Sequence, residues 1–180
     1  MNFEYNLNCY KQLSTPFGFF IVVGLLLVFQ SRLATADDLH ACDYLTVDEV
    51  TQVMGFEVSL PERKPANPMG QSICFFDAPQ EQGMRFAQLQ LVTSSSEKLK
   101  KLGFTATSLF QNNMGFLENP LKVAGIGEQA FWGGSGIKMG AGLHVYYKDV
   151  TFSVLANAAN EEDSLAKSKK LAGIIIGKIK

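Results

Sequence analysis

Two groups of alternating, strand-like segments set between three helix-start signals predict an α+β domain, an antiparallel sheet with helices packed on one face in the order α-βββ-α-βββ-α. An apolar run near the N-terminus adds that this domain is exported. An even pair of cysteines beyond that run points the same way.

The export signal comes first in the chain. Phe17 to Phe29 is an uncharged apolar stretch of thirteen residues, preceded by Lys11 and followed by Ala34-Thr35-Ala36, the small-x-small pattern of a signal-peptidase site. A bilayer span takes about twenty residues, so the run is short for a transmembrane helix. The sequence therefore predicts a signal peptide over 1–36 and a single exported domain over 37–180, periplasmic or extracellular after cleavage following Ala36. Glu4 and Arg32 are unusual in a leader, and the alternative is an uncleaved membrane anchor, the one case in which membrane contact is expected. The length from Asp37 to Lys180 suits one domain with a core of its own.

Without the leader, 14 basic and 16 acidic residues remain, a net charge of −2. A phosphate backbone demands a basic surface. The only basic clusters, Lys98, Lys100, Lys101 and Lys167, Lys169, Lys170, fall in helical patterns interleaved with apolar residues, so no nucleic-acid partner is expected. Cys9 departs with the leader. Cys42 and Cys74 are left as a predicted disulfide, worth about 3 to 4 kcal/mol by chain entropy for a loop of this size. Only His40 lies near them, which is not a zinc spacing.

The first helix is predicted by Thr46-Val47-Asp48-Glu49, a capping box in which the Thr hydroxyl and the Glu carboxylate each receive a backbone N–H of the other. Val47, Val50 and Val53 or Met54 give it one apolar face, and Gly55 stops it. Phe56 to Leu60 alternates as a strand. Pro61, Pro65 and Pro68 then make Pro61 to Gly70 a surface loop or edge connection. Ser72 to Asp77 and Phe86 to Val92 complete the first three strands. Ser94 with Glu97 predicts a second capping box and a helix through Leu99 and Leu102 that ends at or beyond Gly103, and Gly115 to Lys122 reads as a loop. Gln129 to Trp132, Leu143 to Lys148 and Val150 to Ala156 are the second three strands, the last two a hairpin turning at Lys148-Asp149. Asn160 caps a final helix with Glu161, Glu162 and Asp163 at its positive end and Leu165, Ala172, Ile175, Ile176 and Ile179 as its buried stripe.

Catalytic signatures are scarce. Gly125 to Ala130 matches G-x-G-x-x-A, but a dinucleotide turn needs a helix after it, and Phe131-Trp132-Gly133-Gly134 cannot begin one. The segment reads instead as a tight turn that delivers Phe131 and Trp132 into the core. The glycine-rich stretch Gly133 to Gly142 holds no Gly-Lys-Ser/Thr and reads as a mobile connection, or as a flexible lip over a pocket with Lys138 and Met139 as adaptable contacts. No serine sits in a hydrolase motif, and no metal-ligand spacing appears around His40 or His144. No catalytic residue, metal or cofactor is therefore assigned. His144 and Glu128 are the two residues that an unrecognised hydrolase site would use.

Aromatic residues carry the binding hypothesis. Phe75-Phe76, Phe131-Trp132 and Tyr146-Tyr147 are adjacent on strands, so one member of each pair leaves the helix-covered face. If these gather on the open face they form an apolar binding patch, and if loops cover them they do not.

Ala41-Cys42-Asp43-Tyr44-Leu45-Thr46 running into Glu49-Val50 and Met54-Gly55, Ser72-Ile73-Cys74-Phe75-Phe76, and Val123 to Trp132 with a hairpin and helix behind it together resemble an uncharacterised family of exported domains. That family is best known from actinobacterial lipoproteins and is distantly similar to extracellular sensor domains. The resemblance implies a Cys42–Cys74 bridge and an α+β fold, and brings no catalytic residues with it. No cysteine sits directly after the apolar run, a departure from the family's lipobox by which lipid attachment is not expected. The expected function is a non-enzymatic exported domain that binds an unknown protein or an apolar small molecule through Trp132, Tyr146, Lys138 and Met139. The alternatives are a small hydrolase and a sensing or inhibitory module.

Overall fold

A computed structural model describes residues 40–117 and 119–180; the leader, Cys9 and the cleavage point lie outside them. Along the described chain run α1 (Val47–Met54), β1 (Glu62–Lys64), β2 (Ser72–Asp77), β3 (Phe86–Thr93), α2 (Glu97–Lys101), α3 (Ala106–Gly115), β4 (Leu121–Lys122), β5 (Gln129–Trp132), β6 (Leu143–Tyr147), β7 (Val150–Asn157) and α4 (Glu161–Lys178). Seven strands form one sheet in the order β1-β2-β3-β7-β6-β5-β4, antiparallel at every pairing, so the class is α+β.

Capping chemistry sets the helix starts. The Thr46 hydroxyl accepts from Glu49 N while the Glu49 carboxylate accepts from Thr46 N at 2.8 Å, and Gly55 closes α1 at φ +83°. Asn160 Oδ1 accepts from Asp163 N at 2.8 Å at the start of α4. The Ser94 box does not form. The Ser94 hydroxyl instead accepts from Ala106 N at 2.8 Å, reaching forward to α3, and α2 begins after Ser96 with no side-chain cap. A Thr105-Ser108 box then opens a separate helix, α3, where the sequence reading has none.

The first strand also moves. Phe56 to Leu60 joins no ladder, although Ser59 N donates to Asp77 O at 2.8 Å and its hydroxyl accepts from Asp77 N at 3.0 Å. The edge strand is the charged triplet Glu62–Lys64, which Pro61 and Pro65 bracket, a composition that discourages another chain from pairing there. Arg63 bonds Asp43 at 2.8 Å and holds that carboxyl below its ordinary pKa, fastening the edge to a short 3₁₀ turn at Ala41–Asp43. The disulfide Cys42–Cys74 fastens the same turn to β2, with Cα atoms 4.9 Å apart. A disulfide fits a location outside the reducing cytosol. Among the described residues no helix is long and apolar enough to cross a membrane.

Strand alternation sorts the sheet into two faces. On one, Cys74, Phe76, Leu89, Leu91, Val154, Phe152, Leu143, Val145 and Trp132 pack with Val50 and Met54 of α1 and Leu171, Ala172 and Ile175 of α4. Two buried serines of α4 tie helix to strand, Ser168 accepting from Ala156 N at 2.9 Å and Ser164 from Ala158 N at 3.0 Å. On the other face, α2 and α3 pack: Val92 with Leu99 and Leu109, and Phe110 against Phe131 and Tyr146 at ring distances of 5.1 and 6.1 Å. Helices therefore cover both faces rather than one. The topology explains it, because β3 lies inside the sheet and β4 at its far edge, so the chain between them must cross a face.

Candidate functional site

The crossing segment covers only part of its face. Beside it the sheet stays half open over β2, β3 and β7. Register places Ile73 opposite Gln90, Gln90 opposite Ser153, and Ser153 opposite His144, one row running across the central strands. Phe75 and Gln88 form a parallel row with Leu155. Two adjoining hollows of about 350 and 330 Å³ lie over these rows and share Gln90, Met139, Gly140, Ala141 and Ser153. The end of α3 (Asn113, Phe116, Leu117) walls the first hollow, and Phe86, Gln88 and Leu155 continue the floor of the second.

The glycine-rich stretch roofs both, and it is built rather than loose. Gly133 N donates to Gly142 O and Gly142 N to Gly134 O, each at 2.9 Å. At Gly140 (φ +78°) a Cβ would collide with the Leu117 side chain, so glycine lets the loop close onto the end of α3. His144 Nε2 lies 2.9 Å from Gly140 O. A carbonyl only accepts, so Nε2 is the protonated nitrogen of this ring. The ring is stacked on Phe131 at 4.6 Å, and burial holds its pKa below 6.5 despite the opposing pull of the Gly140 carbonyl. The imidazole is thus a neutral latch for the loop. Beyond it, Ile137 and Met139 stand 74% and 96% exposed, and across the first hollow Phe116 is 84% exposed.

The polar groups of the floor are neutral. No side chain lining the first hollow bears a charge once His144 is neutral, and the second has only Lys138. Gln88, Gln90, Asn113 and Ser153 are half buried, and their side chains hydrogen-bond to no other described residue.

The structure separates the residues singled out from sequence. Met139 lines both hollows from the glycine-rich loop, and Lys138 lines the second. Tyr146 faces the same side of the sheet but lies under Phe110 of α3 and lines neither hollow. Trp132 is on the opposite face, 4% exposed, with its indole N–H donating to Glu161 at 3.0 Å. The outward member of that pair is Phe131, and α3 covers it. His144 and Glu128 do not meet. Glu128 accepts from Lys148 N at 2.9 Å, closing the β6–β7 hairpin, and lines a different hollow. No helix follows the Gly125 to Ala130 turn. It leads into β5 and delivers Phe131 and Trp132 to buried positions. Among the described residues no cluster of three or more His, Cys, Asp or Glu is placed to hold a metal.

No site role follows from the sequence for Gln88, Gln90, Asn113, Ser153 or Phe116. The signal for two of them is present in Phe86-Ala87-Gln88-Leu89-Gln90, where both glutamines share the parity opposite the buried Leu89. No protein-family model matches this chain, and neither a curated protein nor a solved structure is similar to it at a significant level.

Proposed function

We propose that this chain is an exported, non-enzymatic binding domain that holds a partner protein or an apolar ligand on the half-open sheet face, beneath the Gly133 to Gly142 loop. The observation that carries the reading is the pair of adjoining hollows, floored by half-buried amides that bond to no other described side chain or backbone group and roofed by a loop that glycine packing and His144 hold in place. Their free polar atoms are open to water, since among the described residues no buried side-chain polar atom lacks a partner, and can exchange that water for a ligand. Three exposed apolar side chains, Phe116, Ile137 and Met139, add the contact area that a binding surface needs. The disulfide supports export, and the resemblance to exported sensor-like domains belongs to the same proposal.

The hydrolase alternative has weaker support. Ser153 and His144 are cross-strand neighbours, yet no hydrogen bond joins them. A positioned nucleophile and base need such a bond. The test is capture from an extract of the source cells by the protein and by a Gln90→Ala/Met139→Ser double variant, with folding checked by near-UV circular dichroism. At least tenfold greater recovery of a bound species by the unsubstituted protein is expected. Equal recovery by both would remove the reading.

A further inference from the structure

The chemistry of the two hollows narrows the ligand. Moving a carboxylate, phosphate or ammonium group from water onto a floor of neutral amides is unfavourable without a counter-charge, and the first hollow has none. A primary amide, however, donates and accepts at once, which is the pattern a peptide bond presents. Gln88, Gln90 and Asn113 offer three such groups on the floor and wall, and Ser153 adds a hydroxyl between them. The rim is aliphatic and thioether apart from Phe116 and, at the second hollow, Lys138, and it suits apolar side chains of adjustable shape. Neither hollow contains a carboxylate to grip sugar hydroxyls.

We propose that the occupant is an extended, uncharged peptide segment of a partner protein, its backbone lying over Gln88, Gln90 and Ser153 and two apolar side chains, two residues apart, entering the two hollows. In an extended chain such side chains point the same way about 7 Å apart, and the two hollows adjoin, sharing five lining residues. Recognition is then by side chains. The floor belongs to the central strands β3 and β7, each hydrogen-bonded on both sides, so no free strand edge is available there for the peptide to extend. This assignment rests on the reading of the open face as a binding site, and the experiment separates the two.

A displayed library of random twelve-residue peptides is panned against the protein, against Gln90→Ala and against Met139→Ser, in parallel with titration by chitotetraose as a neutral oligosaccharide. The expected result is enrichment of sequences with apolar residues at i and i+2 and no charge at either. A synthetic peptide of that sequence should bind Gln90→Ala at least tenfold more weakly, and should lose at least tenfold when the apolar residue seated in the first hollow, which has no cation, becomes Asp. Enriched peptides whose affinity is the same for the protein and both variants overturn the assignment. Binding of chitotetraose that is lost in Gln90→Ala, with no peptide enriched, overturns the peptide class and leaves the open face as a site. No binding by either probe overturns both.

Discussion

The two faces of this sheet are made from the same strands and differ in what their polar groups do. On the face covered by α1 and α4, the hydroxyls of Ser72, Ser164 and Ser168 accept backbone N–H groups and the Trp132 indole meets Glu161. Under the glycine-rich loop, Gln88, Gln90 and Ser153 alternate along β3 and β7 with core residues and bond to nothing in the described protein. The difference teaches that one face ties helix to strand through its polar groups, whereas half of the other leaves its polar side chains without a bond to any described residue.

The largest expected effects lie on the covered side. Replacing both Cys42 and Cys74 by Ser should lower unfolding free energy by about 4 kcal/mol, measured by urea denaturation, because the unfolded chain regains the freedom of the closed loop. Leu171→Ala, fully buried between α4 and the sheet, should cost about 3 kcal/mol by the same measurement, through lost transfer energy and a cavity. Gly140→Ala should cost about 1 to 3 kcal/mol, since the new methyl meets Leu117 and the residue has positive φ. It bridges the comparison, because it should also weaken ligand binding by displacing the roof.

A fourth effect depends on pH. The folded state holds His144 below its unfolded pKa, so below about pH 6.5 the unfolded chain binds more protons there than the folded one. Stability should therefore fall as pH drops from 6.5 through the folded pKa, and a His144→Gln variant should lose this part of the slope in melts recorded from pH 7.5 to 5. The smallest effect on stability belongs to the open face. Gln90→Ala should change unfolding free energy by no more than about 0.5 kcal/mol while reducing ligand affinity at least tenfold. A Gln90→Ala variant that unfolds as easily as Leu171→Ala would erase the distinction between the faces.

Much of the covered side is legible in the sequence, because local rules act there without competition. The Thr46 and Asn160 caps, Gly55, the β2 and β5 segments and the Lys148-Asp149 turn all follow from residues within a few positions of one another. The open side is not, because its decisive partners are distant. Ser94 obeys the local capping pattern yet bonds Ala106, twelve residues on, and Thr105-Ser108 uses a serine where glutamate is the stronger signal. The binding hypothesis uses Trp132, yet alternation gives the opposition of the Phe131-Trp132 pair and not which member faces α4. The crossing of α3 over the second face depends on strand order, which pairs β3 with β7 across a gap of more than fifty residues. The half-open site exists only once that crossing is made.

Both faces can be read in a single ¹⁵N–¹H spectrum. The chain has one tryptophan, whose indole N–H reports the covered face, and the side-chain NH₂ groups of Gln88, Gln90 and Asn113 report the open one. On titration with the enriched neutral peptide, the three amide NH₂ signals should shift progressively while the Trp132 indole signal stays in place. Movement of the indole signal with the three amides unchanged would contradict the division of labour between the two faces.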